Sequence, residues 1–167
     1  MKLPHPIPDA TLPGQESVWS YPRPSVAQPV RDHLRVILDG RVLAETSQGV
    51  RTIELSHPPS FYFPPQDVDR SMLVATGRSS FCEWKGDARY FDVLAGERRI
   101  ANAAWSYPAP STSFGIIRDF IAFYPGLMDE CTVNGEIAVP QPGRFYGGWI
   151  TSKVAGPFKG PPGTEYW

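Results

Sequence analysis

The stretch Phe81 to Pro110, FCEWKGDARYFDVLAGERRIANAAWSYPAP, decides the fold. Within it the alternating run Ala88-Arg89-Tyr90-Phe91-Asp92-Val93 and the run Arg99 to Tyr107 flank the turn-prone Ala95-Gly96-Glu97. Two such runs about a glycine-containing turn predict a β-hairpin with one wet face. Cys82 and Lys85 stand in the tight approach to the first strand, just ahead of Gly86, while Trp105 and Tyr107 close the second. One thiol, one ammonium group and several large rings are thereby expected on two neighbouring strands.

Strand signals recur on both sides of this hairpin. Arg35 to Leu38 and Arg41 to Ala44 flank Asp39-Gly40, a pair whose residues both tolerate the positive φ of a tight hairpin turn. Val50 to Leu55 predicts a third strand, with Val50, Thr52 and Glu54 on one face and Arg51, Ile53 and Leu55 on the other. His57-Pro58-Pro59 ends it, and Phe61-Tyr62-Phe63 before Pro64-Pro65 is a short extended piece with rings on both sides. Gln66 to Val74 is the best helix candidate, about two turns long with acidic residues near its start. Ile116 to Tyr124 predicts a further strand, with Phe120, Ala122 and Tyr124 opposite Ile121 and Phe123. Cys131-Thr132-Val133 and Glu136 to Val139 flank Asn134-Gly135, a second tight hairpin.

The expected fold is therefore all-β: two short antiparallel sheets folded over each other as in an open barrel, with one short helix and extended aromatic-rich arms. Residues 1–33 form an N-terminal arm packed on the domain, 34–139 the β core and 140–167 a C-terminal strap. Nineteen prolines and fifteen glycines beside 13% aromatics support this division. Prolines and glycines keep strands short, while rings such as Trp19, Tyr21, Phe145, Tyr146, Trp149, Phe158 and Trp167 need cover and anchor the arms.

With 167 residues there is one domain with a real core. A net charge of −1 gives no electrostatic footprint for nucleic acid. No apolar run approaches the roughly eighteen residues that span a bilayer, and prolines interrupt Met1-Lys2-Leu3-Pro4-His5-Pro6 where a signal peptide would be apolar. A cytoplasmic location is expected, with no membrane partner and with Cys82 and Cys131 as free thiols. Oligomeric state is left open.

The commonest catalytic frameworks lack their residues. Where a zinc knuckle would place its second cysteine, Cys82 is followed by Lys85, and His5, His33 and His57 have no paired spacing, so no metal and no cofactor are expected. Gly147-Gly148 precedes a strand-like run instead of opening a phosphate-binding helix. Cys82 beside Lys85 is the candidate catalytic pair, because an ammonium group favours the nucleophilic thiolate; the plainer reading is a small buried residue beside a turn lysine. Glu54 and Asp67 could act as an acid/base pair, or simply form edge ion pairs with Arg35 or Arg51. Tyr62, Trp84, Tyr90, Trp105 and Tyr107 fall at strand ends, where a folded sheet would gather them at one mouth; with Lys85, Glu54 and Asp67 they would bind a small planar or cationic molecule.

Several of these motifs, in order from Leu34 to Gly135, resemble the bacterial and fungal family called domain of unknown function 427. They include Arg35-Val36-Ile37-Leu38-Asp39-Gly40, Tyr62-Phe63-Pro64, Gln66-Asp67-Val68, Cys82-Glu83-Trp84-Lys85-Gly86, Ala88-Arg89-Tyr90-Phe91 and Ala104-Trp105-Ser106-Tyr107-Pro108. The flanks, including Tyr146-Gly147-Gly148-Trp149, resemble a longer subgroup. The resemblance implies a β-tent-like fold, two antiparallel sheets pinned at an apex where relatives hold zinc. Cys82-x-x-Lys85 departs from that knuckle and implies a metal-free version. The family also carries a nucleotidyltransferase label, but the Gly-Ser and paired-Asp signature of such enzymes is missing here. The function expected first is small-molecule binding among the rings; a thiol-dependent or nucleotidyl-transferring enzyme and a protein-interaction module are the alternatives.

Overall fold

A computed structural model describes residues 5–167, so the first four residues of the expected arm lie outside the described residues. Asp39 and Gly40 take φ of 53° and 70°, and Asn134 and Gly135 take 50° and 82°, which builds both tight turns as their residue types predict. The strands in chain order are β1 (Glu16–Ser17), β2 (Val26–Pro29), β3 (Leu34–Leu38), β4 (Arg41–Thr46), β5 (Val50–Ile53), β6 (Ser60–Phe63), β7 (Leu73–Cys82) and β8 (Gly86–Ala95). They continue as β9 (Arg98–Ser106), β10 (Ile121–Phe123), β11 (Glu130–Val133), β12 (Glu136–Ile137), β13 (Val139–Pro140), β14 (Trp149–Ile150) and β15 (Val154–Ala155).

The chain is all-β. An antiparallel seven-stranded sheet runs β2-β5-β6-β10-β9-β8-β7, a four-stranded one runs β12-β11-β3-β4, and neither closes into a barrel. Strand pleating sends alternate side chains of the larger sheet to two different cores. Phe61 and Phe63 of β6, Val93 of β8, Ala104 of β9 and Ile121 and Phe123 of β10 meet Leu34, Val36, Leu43 and Cys131 of the smaller sheet in the main core. Tyr62, Tyr90, Trp105 and Ala122, one residue out of phase, form a second cluster on the opposite face with Tyr107 and Phe114. The larger sheet thus has both faces covered.

Two local expectations need correction. The helix expected over Gln66 to Val74 is replaced by two single 3-10 turns, Pro65–Asp67 and Arg70–Met72. Val68 between them is extended and bridges to Ala44, and Leu73 already begins β7. Ile116 and Ile117, the first two residues of the strand expected over Ile116 to Tyr124, belong to the 3-10 segment Thr112–Ile117; Asp119, at φ 62°, turns the chain before β10 starts.

Residues 26–29, inside the segment expected as an arm, form the outer strand β2 against β5. The two terminal segments meet. β1 pairs in parallel with β15, Trp19 Nε1 donates to Pro157 O at 2.8 Å, and the Trp19 and Trp167 rings lie edge to face at 5.4 Å. Among the described residues no helix is long and apolar enough to cross a membrane.

Phe63 is fully buried against Phe123 and Trp149, whereas Phe81 is 75% exposed. Phe63→Ala should cost about 3–5 kcal/mol in urea unfolding, and Phe81→Ala should stay within about 0.5 kcal/mol.

Candidate functional site

The second core is not packed solid. One row of residues crosses the larger sheet in register: Tyr90 pairs with Trp105, Trp105 with Ala122, Ala122 with Tyr62 and Tyr62 with Val50. Ala122, the small side chain between two rings, lets them meet across it. Trp105 Nε1 donates to Tyr62 Oη at 3.3 Å, with the rings edge to face at 6.2 Å. Above this row lies a cavity of about 260 Å3.

Its walls combine rings with polar groups. Tyr62, Tyr90, Trp105 and Tyr107 line it together with Glu54, Cys82 and Lys85. Lys85 Nζ is 3.9 Å from Cys82 Sγ and 5.5 Å from the Phe114 ring centroid. Tyr90 Oη shares a hydrogen bond with Ser80 Oγ at 2.8 Å. Ser25, 5% exposed, also lines the cavity, and its hydroxyl has no hydrogen-bond partner among the described residues.

Two expected site residues stand elsewhere. Trp84 is half-buried at the tip of the β7-β8 hairpin and packs on the second cluster without lining the cavity. Asp67 accepts from Thr46 Oγ1 at 2.7 Å and lines a separate depression with His33 and Glu45, so Glu54 and Asp67 do not converge. Neither carboxylate makes the ion pair with Arg35 or Arg51 that the sequence offered. Arg35 faces Glu45, and Arg51 forks onto Glu16.

The sequence offered the strap but not the side chains it brings to the site. Gln141, Tyr146, Gly147 and Lys159 come from the C-terminal segment, and His57 comes from the loop after β5. Gly148 N donates to Gln141 Oε1 at 3.2 Å and Gln141 Nε2 donates to Lys159 O at 2.8 Å, which fixes the amide's orientation. The same Nε2 lies 3.0 Å from His57 Nδ1, so Nδ1 must accept and the ring hydrogen sits on Nε2, 3.4 Å from Glu54 Oε2. A methyl group on Gly147 would collide with the Trp105 indole, and one on Gly148 with Gln141 and Pro58, so glycine is required for the strap to lie this close. The Gly-Gly pair was visible in the sequence, but its contact surface was not.

These surroundings shift several acids. Burial pushes the Glu54 carboxyl up, but the hydrogen bond from His57 and the charges of Lys85 and Arg23 outweigh it and hold Glu54 below the ordinary carboxylate range. Burial raises Tyr62 to about 12 and pushes Tyr107 and Tyr124 far above an ordinary phenol. Burial also pushes the Cys131 thiol up; both cysteines are free, but Cys131 lies in the main core, away from this cavity.

Fold and site define a small all-β protein whose own C-terminal strap roofs a ring-walled, polar-lined cavity. Over residues 26–134 the chain matches the family described as a domain of unknown function, DUF427, and it belongs to that family. No curated protein matches the chain. The matched region carries the row of rings, Glu54, Cys82 and Lys85, whereas Gln141, Tyr146 and Lys159 lie beyond it.

A phenol whose folded pKa is raised contributes stability that is complete below its unfolded value of 10 and is lost as pH climbs through the folded value of about 12. Stability should therefore fall between pH 10 and 12. Tyr62→Phe should fall less steeply over that window in pH-dependent urea unfolding.

Proposed function

We propose that this protein binds a small molecule in the cavity above the Tyr90, Trp105 and Tyr62 row. The observation that carries this reading is the cavity's lining. Rings that would be expected to close a core instead surround a space edged by Glu54, Lys85 and the Ser25 hydroxyl, which has no partner among the described residues. Buried polar groups without partners are rare in a closed core, and a few convergent polar groups among rings are the usual composition of a ligand site. At about 260 Å3 the space suits a compact metabolite, since pockets for drug-sized ligands run to roughly 300–1,000 Å3. Glu54 would accept from the ligand and Lys85 would donate to it, with His57 and Gln141 holding Glu54 and the strap in place. The free thiols support a cytoplasmic setting.

A thiol-dependent reaction is the second reading, favoured by Cys82 lining the same cavity with Lys85 beside it. Nucleotidyl transfer has less support: Glu54 is the single carboxylate on this cavity's wall among the described residues, and Asp67 lies elsewhere.

A thermal-shift panel of metabolites tests the binding reading. A true ligand raises Tm, Lys85→Ala weakens it by about tenfold or more, and Asp67→Asn leaves it unchanged. A broad panel with no stabilising compound would count against binding. For the thiol reading, iodoacetamide at neutral pH should label Cys82 and spare Cys131, and a ligand found in the panel should slow that labelling; an inert Cys82 would remove it.

A further inference from the structure

Next to the cavity lies a second one of about 520 Å3 that shares Tyr90, Tyr124, Gln141, Phe145 and Tyr146 with it. The two adjoin along these side chains. Their charge departs from that of the molecule. Arg78 and Arg144 line the outer chamber, Lys85 and Lys159 line the inner one, and Glu54 is the one carboxylate lining either among the described residues. The whole chain, by contrast, carries a net charge of −1. Four cations facing one carboxylate in a recess walled by rings focus a positive potential on whatever enters.

The position of Arg78 is built by the sheet. Ala75 pairs with Phe91 and Ser79 with Arg89, so Thr76, Gly77 and Arg78 stand opposite Tyr90 alone. Thr76 Oγ1 fastens this bulge, donating to Tyr90 O and accepting from Arg78 N, each at 3.2 Å. Bulges re-aim side chains, and this one sets the Arg78 guanidinium 4.9 Å from the centroid of Tyr90, a wall of both chambers. Among the described residues neither Arg78 nor Arg144 is paired with a carboxylate. Their planar donor sets suit a carboxylate or a phosphate group.

We propose that the ligand is an aromatic acid, carrying a carboxylate or a phosphate, whose ring lies among the tyrosines of the inner chamber and whose acid group reaches Arg78 and Arg144. This rests on the reading of the inner cavity as a ligand site and adds the chemical class of its occupant.

The test uses the full chain and four probes: phenyl phosphate, 3-phenylpropionate, neutral 3-phenylpropanamide and cationic 3-phenylpropylamine. Binding is read by saturation-transfer NMR and calorimetry at low salt. At least one acid should bind about tenfold or more tighter than the amide, as a charge-assisted contact requires. An advantage confined to phenyl phosphate assigns a phosphate ligand, and one confined to 3-phenylpropionate assigns a carboxylate. The Arg78→Ala/Arg144→Ala double variant should lose that advantage while keeping its affinity for the amide and the Tm of the free protein. If the amide or the amine binds as tightly as the acids, the charge assignment falls and the cavity reading stands. If none of the four binds while the broad metabolite panel yields a stabilising compound, the aromatic-acid assignment falls and the cavity reading stands; if that panel is empty as well, both fall. An advantage that survives the double variant overturns the assignment to these two arginines.

Discussion

The register across β8, β9, β10 and β6 is the constraint on which the rest of the molecule depends. It puts Tyr90, Trp105, Ala122 and Tyr62 in one line, and a slip of a single residue would send these side chains into the main core and bring Phe91, Ala104, Phe123 and Phe63 out in their place. The register is held from the other side of the sheet, where Phe63 and Phe123 meet edge to face at 5.6 Å under Trp149. Because these rings are sealed in the main core, the phenols and the indole are fixed on the opposite face. Ala122 then decides what that face is like, since a larger residue there would fill the space between Trp105 and Tyr62.

A sheet with apolar groups on both faces needs two covers. The four-stranded sheet supplies one. The other is irregular, made from the 3-10 segment Thr112–Ile117 and the C-terminal strap, and an irregular cover seals less completely than a sheet. Where the strap crosses Trp105 it does so on glycine backbone, and where it passes Glu54 it is tied by Gln141 to His57. Those ties leave a space whose polar groups are only partly satisfied internally. The cavity is thus a consequence of how the second face is closed.

Much of the fold was legible because it is written in local chemistry. Asp39-Gly40 and Asn134-Gly135 name their own turns, and the alternation in Phe61-Tyr62-Phe63 and Ile121-Ala122-Phe123 assigns faces without further information. β7 was not legible, since the bulge at Thr76-Gly77-Arg78 breaks its alternation and its outer position leaves none of its residues buried. The helix expected after Pro65 failed because Val68 is taken by a bridge to Ala44, a tertiary contact that outweighs two turns of local preference. For the site, the gathering of Tyr62, Tyr90, Trp105 and Tyr107 followed from rings on neighbouring strands. Asp67 was misplaced because the 3-10 turn at Pro65–Asp67 leads back towards β4, where Thr46 captures it. His57, Gln141 and Lys159 were missed because nothing in a linear pattern says where on the sheet the expected strap will lie.

The five tryptophans allow the central claim to be tested in one spectrum. Trp105 Nε1–H points at Tyr62 in the cavity, whereas Trp149 Nε1–H donates to Phe123 O at 3.3 Å in the closed main core. The indole N–H resonances can be followed by 1H-15N correlation as a low-molecular-weight metabolite fraction is titrated in. If the cavity is a ligand site, the Trp105 signal moves saturably and the Trp149 signal stays in place. A Trp105 signal that never moves, or that moves only in step with Trp149, would contradict it.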